Sequence, residues 1–133
     1  MNNRLLASTI LVLCATPALA GAPASLLDGY TAAARTTPSF QGFSAERGRA
    51  LYEHKGKDWS CSSCHTADPR QAGEHAVTSK AIRPLAPSAN PERFTDAAKV
   101  EKWFRRNCRD VLGRECTPLE KGDFITWLTS LSK

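Results

Sequence analysis

Cys61-Ser62-Ser63-Cys64-His65 is the stretch from which the rest of this chain is best interpreted. Two thiols separated by two residues, with a histidine directly after the second, form the pattern C-x-x-C-H. Such thiols can add to the two vinyl groups of a haem, and the adjoining imidazole can then bind one face of its iron. The pattern therefore predicts one covalently bound haem c, attached through Cys61 and Cys64, with His65 as the proximal iron ligand.

Two other uses of this cysteine pair compete with haem attachment. A dithiol redox motif is typically found beside a βαβ unit, and this sequence has almost no strand pattern. A structural zinc site could combine the two thiols with Cys108 and Cys116. The histidine after the second thiol and an exported context both argue against zinc. Haem attachment is the favoured interpretation, and the other two stay open as alternatives.

The composition indicates one compact, soluble domain. The chain has 133 residues, of which 41% are hydrophobic and 23% charged, and its formal net charge is +5. The basic residues are interleaved with acidic ones and form no stripe with aromatic residues, so we expect no binding to nucleic acid. The surplus charge is explained either by a solvated surface or by attraction of an acidic redox partner.

The N-terminal residues have the three parts of a secretory signal peptide. Arg4 supplies the charged part, residues 5–13 are mostly apolar, and residues 18–20 (Ala-Leu-Ala) form a cleavage site. The apolar run is too short to remain as a membrane span. We therefore predict a signal peptide at 1–20 and a monohaem cytochrome c domain at 21–133, in a bacterial periplasm and without an integral membrane segment.

The mature chain is predicted to be helical, with helices joined by loops. Apolar periodicity and capping residues predict the following segments: Ser25 to about Thr36, Ser44 (N-cap) to His54, Thr95 through Asn107, and Thr117 (capping box) to Leu131. Gly48 in mid-helix indicates close approach of another helix. The Pro- and Gly-rich stretch 66–91 is predicted to be an irregular loop around a haem edge. The predicted fold is all-α, with three to five helices enclosing one haem.

The sixth position of the iron needs a ligand other than methionine, because Met1 is the only methionine in the chain. Methionine is the usual distal ligand of electron-transfer cytochromes c, so the position is empty, filled by histidine, or filled by a less common group. His54 and His75 are the remaining histidines, and each is predicted to be a surface residue rather than a ligand.

Asn107 is a better candidate for the distal ligand. With Val100, Trp103 and Phe104 it forms a predicted apolar stripe on the third helix. A buried amide without partners costs about 1–3 kcal/mol, so an iron ligand role would explain its position. The alternative is that Asn107 simply ends the helix. An amide oxygen is a weak, hard ligand that could hold ferric iron and release the softer ferrous ion.

Cys108 and Cys116 remain once the thiols of the signal peptide and of the haem motif are set aside. In an oxidising compartment two such thiols are expected to form a disulfide. It would join two helices beside Asn107 and contribute about 2–3 kcal/mol. An additional function, in which reduction of this disulfide frees the distal ligand, stays open.

Several segments resemble the sphaeroides haem protein (SHP) family of high-spin class I cytochromes c. They are Arg83–Asp96, Val100–Cys108 and Gly113–Pro118, together with the general class I features Gly48, Leu51-Tyr52, Pro84-Leu85 and Trp127. The resemblance covers the chain from about Ser25 to the C-terminus. It implies the class I cytochrome c fold.

The resemblance also implies roles for individual residues. Asn107 is implied as a distal ligand that is displaced on reduction, which lets oxygen, nitric oxide or cyanide bind. A Cys108–Cys116 disulfide and reduction by a dihaem cytochrome c are implied as well. By similarity to class I cytochromes, the Pro84 carbonyl would accept the Nδ1 proton of His65. Gly48 and Trp127 would mark the crossing of the first and last helices.

The sequence thus predicts a periplasmic, high-spin cytochrome c that accepts electrons from a partner and binds a diatomic gas. An enzymatic extension, either oxygen reduction or nitric oxide dioxygenation, stays open. The alternative is a simple low-spin electron carrier with a permanent sixth ligand, for which His75 is the residue to test. Sensing through Cys108 and Cys116 is a third hypothesis.

Overall fold

The computed structural model describes residues 22–132, and the predicted signal peptide lies outside this range. Five helices and one strand pair follow each other in the described chain. Their bounds are α1 Ala22–Ala34, α2 Ala45–Glu53, α3 Ser62–His65, β1 Gly73–Glu74, β2 Ala81–Ile82, α4 Ala97–Leu112 and α5 Pro118–Ser130. The all-α prediction is confirmed, and the loop predicted between residues 66 and 91 contains a short antiparallel hairpin.

The helices begin where local side chains can satisfy free backbone amides. The Ser44 side chain accepts a hydrogen bond from the Arg47 amide, which confirms the predicted N-cap of α2. The Asp96 side chain caps α4 by accepting from the amide of Lys99. At α5, Thr117 and Glu120 form the predicted capping box, with Pro118 in the first turn. These caps explain why three of the predicted helix starts are accurate to within one or two residues.

Helix α2 crosses helix α5 at Gly48. A Cβ atom at this position would overlap the Asp123 carbonyl and lie 2.9 Å from Cβ of Trp127. The crossing is sealed by the carboxylate of Asp123, which is only 3% exposed and accepts from the Ser44 amide and from Arg47. Gly48 and Trp127 therefore lie together where α2 and α5 meet, and helix α1 packs on α5 beside them.

The core is apolar and lies mainly between α1, α2 and α5. Its buried members are Leu26, Tyr30, Tyr52, Leu85, Phe94, Val100, Phe124, Ile125, Trp127 and Leu128. Aromatic rings dominate its centre: the Tyr52 ring lies 4.8 Å from that of Trp127, and Phe104 meets Phe124 edge-on at 5.6 Å. Such ring pairs stabilise beyond the area they bury. Helix α4 contributes Val100 and Phe104 to this core.

The apolar stripe predicted on α4 needs a correction. Val100 is buried and Phe104 partly buried, but Trp103 is 41% exposed and Asn107 is also exposed. The face covered by protein runs instead through Val100, Phe104 and Cys108, with a spacing of four residues. Trp103 and Asn107 lie beside that face, because each comes one residue before Phe104 or Cys108 and a helix turns by 100° per residue.

Candidate haem-binding site

The C-x-x-C-H motif lies in a tight, well-anchored turn. Cys61 precedes helix α3, which ends at His65. The hydroxyl of Tyr52, on α2, shares its one proton between the backbone carbonyls of His65 (3.0 Å) and Thr66 (2.5 Å). Gly73 in β1 packs so closely that a Cβ there would overlap the Cys64 carbonyl. The backbone of the motif is therefore held from two sides, by α2 and by the hairpin.

The chemical state of the motif suits covalent attachment and iron binding. Cys61 and Cys64 are free thiols and partly exposed. Burial raises the pKa of Cys61 to about 11, so this thiol stays protonated at neutral pH. Burial, together with the positive charge of Arg93, lowers the pKa of His65 to about 4. The imidazole is therefore neutral, which is the form that binds metals.

The hydrogen bond predicted from His65 to the Pro84 carbonyl is not formed among the described residues, and this assignment stays a prediction. His65 Nδ1 is buried and, among the described residues, has no hydrogen-bond partner. The Pro84 carbonyl instead accepts from Asn90 Nδ2 at 3.1 Å and from Arg93 Nε at 2.8 Å. A carbonyl oxygen has two lone pairs, and these two donors occupy both. Sequence similarity could not show that Arg93 competes for this acceptor.

Arg93 is a functional candidate that the sequence did not reveal. Its guanidinium is partly buried and donates to two backbone carbonyls, those of Pro84 and Arg83. Arg83 forms an ion pair with Glu92, whereas Arg93 has no carboxylate partner within residues 22–132. Burial and the neighbouring charge of Arg83 lower the pKa of Arg93. A partly buried cation of this kind favours a nearby anion.

Asn107 lies on α4 directly before the disulfide. Its side chain is exposed, and it makes no side-chain hydrogen bond within the described chain. Cys108 and Cys116 form a disulfide with a Cα–Cα distance of 5.7 Å, which links the C-terminal turn of α4 to the segment before α5. Arg109 pairs with Glu115 across the same connection. Asn107 therefore lies on the exposed side of α4, next to a covalent link to the following segment.

The structure also bears on the alternatives to haem attachment. Because Cys108 and Cys116 are joined to each other, they cannot serve as zinc ligands together with Cys61 and Cys64. The described residues hold no group of three or more histidine, cysteine or acidic side chains that could bind a metal ion. The strands beside the motif are two residues long and antiparallel, unlike a βαβ unit.

The side chains around the motif fit a haem. Two unpaired thiols are available at the spacing that haem vinyl groups require, and a neutral imidazole follows them. The guanidinium of Arg93 supplies a cation close enough to His65 to lower its pKa, and a haem carries propionates that can balance such a charge. The donor set is therefore that of a c-type haem protein.

Comparison with known proteins agrees with this chemistry. Residues 38–128 match the family model described as "Domain of unknown function (DUF1924)". The chain is 50% identical to the cytochrome c-type protein SHP of Cereibacter sphaeroides, over 98% of this chain and 99% of the relative. The chain belongs to the SHP family. This result confirms the resemblance found in the sequence, and it makes the protein a c-type cytochrome.

Other relatives support the same fold. Cytochrome c'' of Methylophilus methylotrophus is 42% identical over 72% of this chain and 70% of the relative. The solved structure of oxidised SHP, described as an oxygen-binding cytochrome c, has a TM-score of 0.74 at 49% identity and covers 84% of this chain and 98% of its own. Oxidised cytochrome c'' has a TM-score of 0.75 at 38% identity, over 84% and 96%. The class I cytochrome c fold is thereby confirmed.

Among the helices described, none is long and apolar enough to cross a membrane.

Proposed function

We propose that this protein is an exported, monohaem, high-spin cytochrome c that is reduced by a dihaem cytochrome c and then binds a diatomic gas such as oxygen or nitric oxide. The observation that carries the proposal is its similarity, over nearly the whole chain, to SHP, whose solved structure is described as that of an oxygen-binding cytochrome c. When bound, haem supplies one-electron transfer and an iron atom to which small gases can bind.

Each of the site residues has a separate role in this proposal. Cys61 and Cys64 attach the haem covalently, and His65 is the permanent proximal ligand. Asn107 is the distal ligand of the oxidised protein and leaves on reduction. Support for this assignment comes from the family to which the chain belongs. Arg93 provides a positive charge beside the proximal histidine.

The competing function is a low-spin electron carrier in which His75 fills the sixth position. The hydrogen bonds of His75 argue against it. Its Nδ1 atom accepts from the amides of Val77 (3.2 Å) and Thr78 (3.3 Å), so in the neutral ring the proton lies on Nε2. Binding of iron through Nε2 would place this proton on Nδ1 and break both hydrogen bonds. The next residue, Ala76, also donates its amide to Cys64 Sγ, which ties this turn to the proximal side of the motif.

The visible spectrum of the dithionite-reduced protein, before and after carbon monoxide, tests the proposal. A high-spin ferrous spectrum that shifts fully with the gas is expected, because Asn107 has left. Sharp low-spin bands that ignore carbon monoxide would contradict the proposal and favour the electron carrier.

Replacement of Asn107 should change the spectrum of the ferric protein but not that of the ferrous protein. In Asn107→Ala the haem should stay attached and the ferric spectrum should change, because the sixth ligand is gone. The ferrous spectrum with carbon monoxide should match the wild type. Lys102→Ala, an exposed change on the same helix, is the control and should alter neither state. An unchanged ferric spectrum in Asn107→Ala would exclude this residue as the distal ligand.

A further inference from the structure

One carboxylate joins three helices on the side of α4 that faces the core. The Tyr30 hydroxyl, from α1, donates a short hydrogen bond to Oε1 of Glu101 on α4. The Lys121 ammonium, from α5, donates to Oε2 of the same residue at 2.7 Å. Each oxygen of Glu101 therefore has its own partner on a different helix. Tyr30, Glu101 and Lys121 are called the Glu101 clasp below.

The clasp lies at the edge of the core, where the side chain of Glu101 is 40% exposed. The Tyr30 residue is 8% exposed and the Lys121 side chain 17%. The Lys121 nitrogen lies 5.7 Å from the ring centre of Tyr30 and 5.9 Å from that of Phe104, which adds cation–π contacts. Burial by itself raises the pKa of Glu101, but the hydrogen bonds from Lys121 and Tyr30 outweigh it and lower this pKa. The carboxylate is therefore charged at neutral pH.

Helix α4 depends on such side-chain attachments. The helix pairs whose backbones pack closely in the described chain are α2 with α5 and α1 with α5, and α4 is not among them. Its first half is attached by Glu101, with Val100 and Phe104 in the core, and its far end by the Cys108–Cys116 disulfide. Asn107 lies between these attachments, six residues or about 9 Å along the helix from Glu101.

We propose that Glu101 is a positioning residue for Asn107: the Glu101 clasp holds α4 where Asn107 can bind the oxidised iron, and so opposes detachment of that ligand. The inference rests on the proposed function of Asn107. Loosening the clasp lets α4 tilt about the disulfide at Cys108, and this tilt turns the side chain of the adjoining Asn107. Detachment of Asn107 then requires less free energy, although no residue in contact with the ligand has changed.

Competition by added imidazole measures this effect in the oxidised holoprotein, since imidazole must displace Asn107 to bind. In Glu101→Ala, which removes both links, the apparent imidazole affinity should rise about fivefold, as expected if about 1 kcal/mol of the clasp opposes detachment. Tyr30→Phe keeps the ring and its 6.4 Å contact with Phe104 and removes one hydrogen bond, so a rise of about twofold is expected.

Asp110→Asn is the matched control. Asp110 lies on α4 and pairs with Arg106 within the same helix, at 3.9 Å, so its loss leaves the attachments between helices intact. The imidazole affinity of the Asp110→Asn variant should equal that of the wild type. An equal rise in Asp110→Asn would reduce the effect to a change in the charge of α4 and overturn the proposal.

The same substitutions in an Asn107→Ala background separate positioning from general loosening. With no distal ligand left to detach, Glu101→Ala should cause no further change in imidazole affinity. A similar rise in imidazole affinity in the wild-type and Asn107→Ala backgrounds would mean that the clasp affects imidazole binding without acting on Asn107. This result would overturn the proposal. Unchanged affinity in folded Tyr30→Phe and Glu101→Ala would do the same. If Asn107→Ala by itself leaves the ferric spectrum unchanged, the failure lies with the proposed function instead.

Discussion

The segment that carries His65 is held through its own backbone atoms, whereas helix α4, which carries Asn107, is held through its own side chains. At His65, backbone carbonyls accept from Tyr52, and Gly73 packs against the adjoining peptide. At α4, the attachments are a carboxylate, a disulfide and a few core side chains. Backbone packing permits little adjustment, whereas side-chain attachments can shift between rotamers. This difference agrees with our proposal that His65 is a permanent ligand and Asn107 a removable one.

The largest effect on stability is expected in Gly48→Ala, at the crossing of α2 and α5. The new Cβ would overlap the Asp123 carbonyl, so α2 and α5 would have to separate. We expect a loss of about 3 kcal/mol in the free energy of unfolding, measured by urea denaturation of the holoprotein. Gly29→Ala on α1 is the control, since nothing lies within 4 Å of its added Cβ. This control should stabilise by up to about 1 kcal/mol. Equal stability of the two variants would refute the tight crossing.

The double substitution Cys108→Ala/Cys116→Ala is expected to have the next largest effect. Loss of the disulfide should cost about 2–3 kcal/mol in urea unfolding, because the loop between the two residues becomes free in the unfolded chain. The haem should remain attached, because Cys61, Cys64 and His65 are anchored elsewhere. Haem loss in this variant would show that the two sides of the site are not independent.

The disulfide itself can be tested chemically. A thiol reagent added to the unfolded, unreduced mature holoprotein should label no cysteine, because two thiols are bound to haem and two to each other. Two labelled sites would contradict the disulfide.

The smallest effect is expected in Arg93→Gln. We expect the charge of Arg93 to interact with the charge of a haem iron bound by His65 by about 1 kcal/mol, because the effective dielectric constant inside a protein is about 20. Removing the positive charge stabilises the ferric over the ferrous ion, so the reduction potential should fall by about 40 mV. Arg93→Lys keeps the charge and should change the potential much less, as measured by redox titration. A fall of the same size in both variants would indicate a structural rather than an electrostatic effect.

The sequence predicted features that depend on neighbours along the chain. The helix caps at Ser44 and Thr117 follow from the short polar side chain that satisfies amides two or three residues ahead. The C-x-x-C-H motif also carries its chemistry within five residues. The family could be recognised for the same reason, since its distinctive segments are continuous.

Contacts between distant segments were predicted less well. Among the described residues, the covered face of α4 runs through Phe104 and Cys108 rather than Trp103 and Asn107, because Phe104 packs against the core and Cys108 is joined to Cys116. The Pro84 carbonyl is occupied by Arg93 and Asn90, which compete with His65 for an acceptor. Periodicity describes a single helix, and it contains no information about which neighbour covers it.

By itself, the sequence determined the helical class of this protein, its haem-attachment chemistry and its family, because local spacing and composition encode each of them. The tertiary structure alone decided how the two sides of the site are held. Tyr52 reaches the His65 carbonyl across 13 residues, and Tyr30 reaches Glu101 across 71. Such partners are chosen by the packing of whole helices, since a hydrogen bond between distant residues forms only where the fold brings donor and acceptor together.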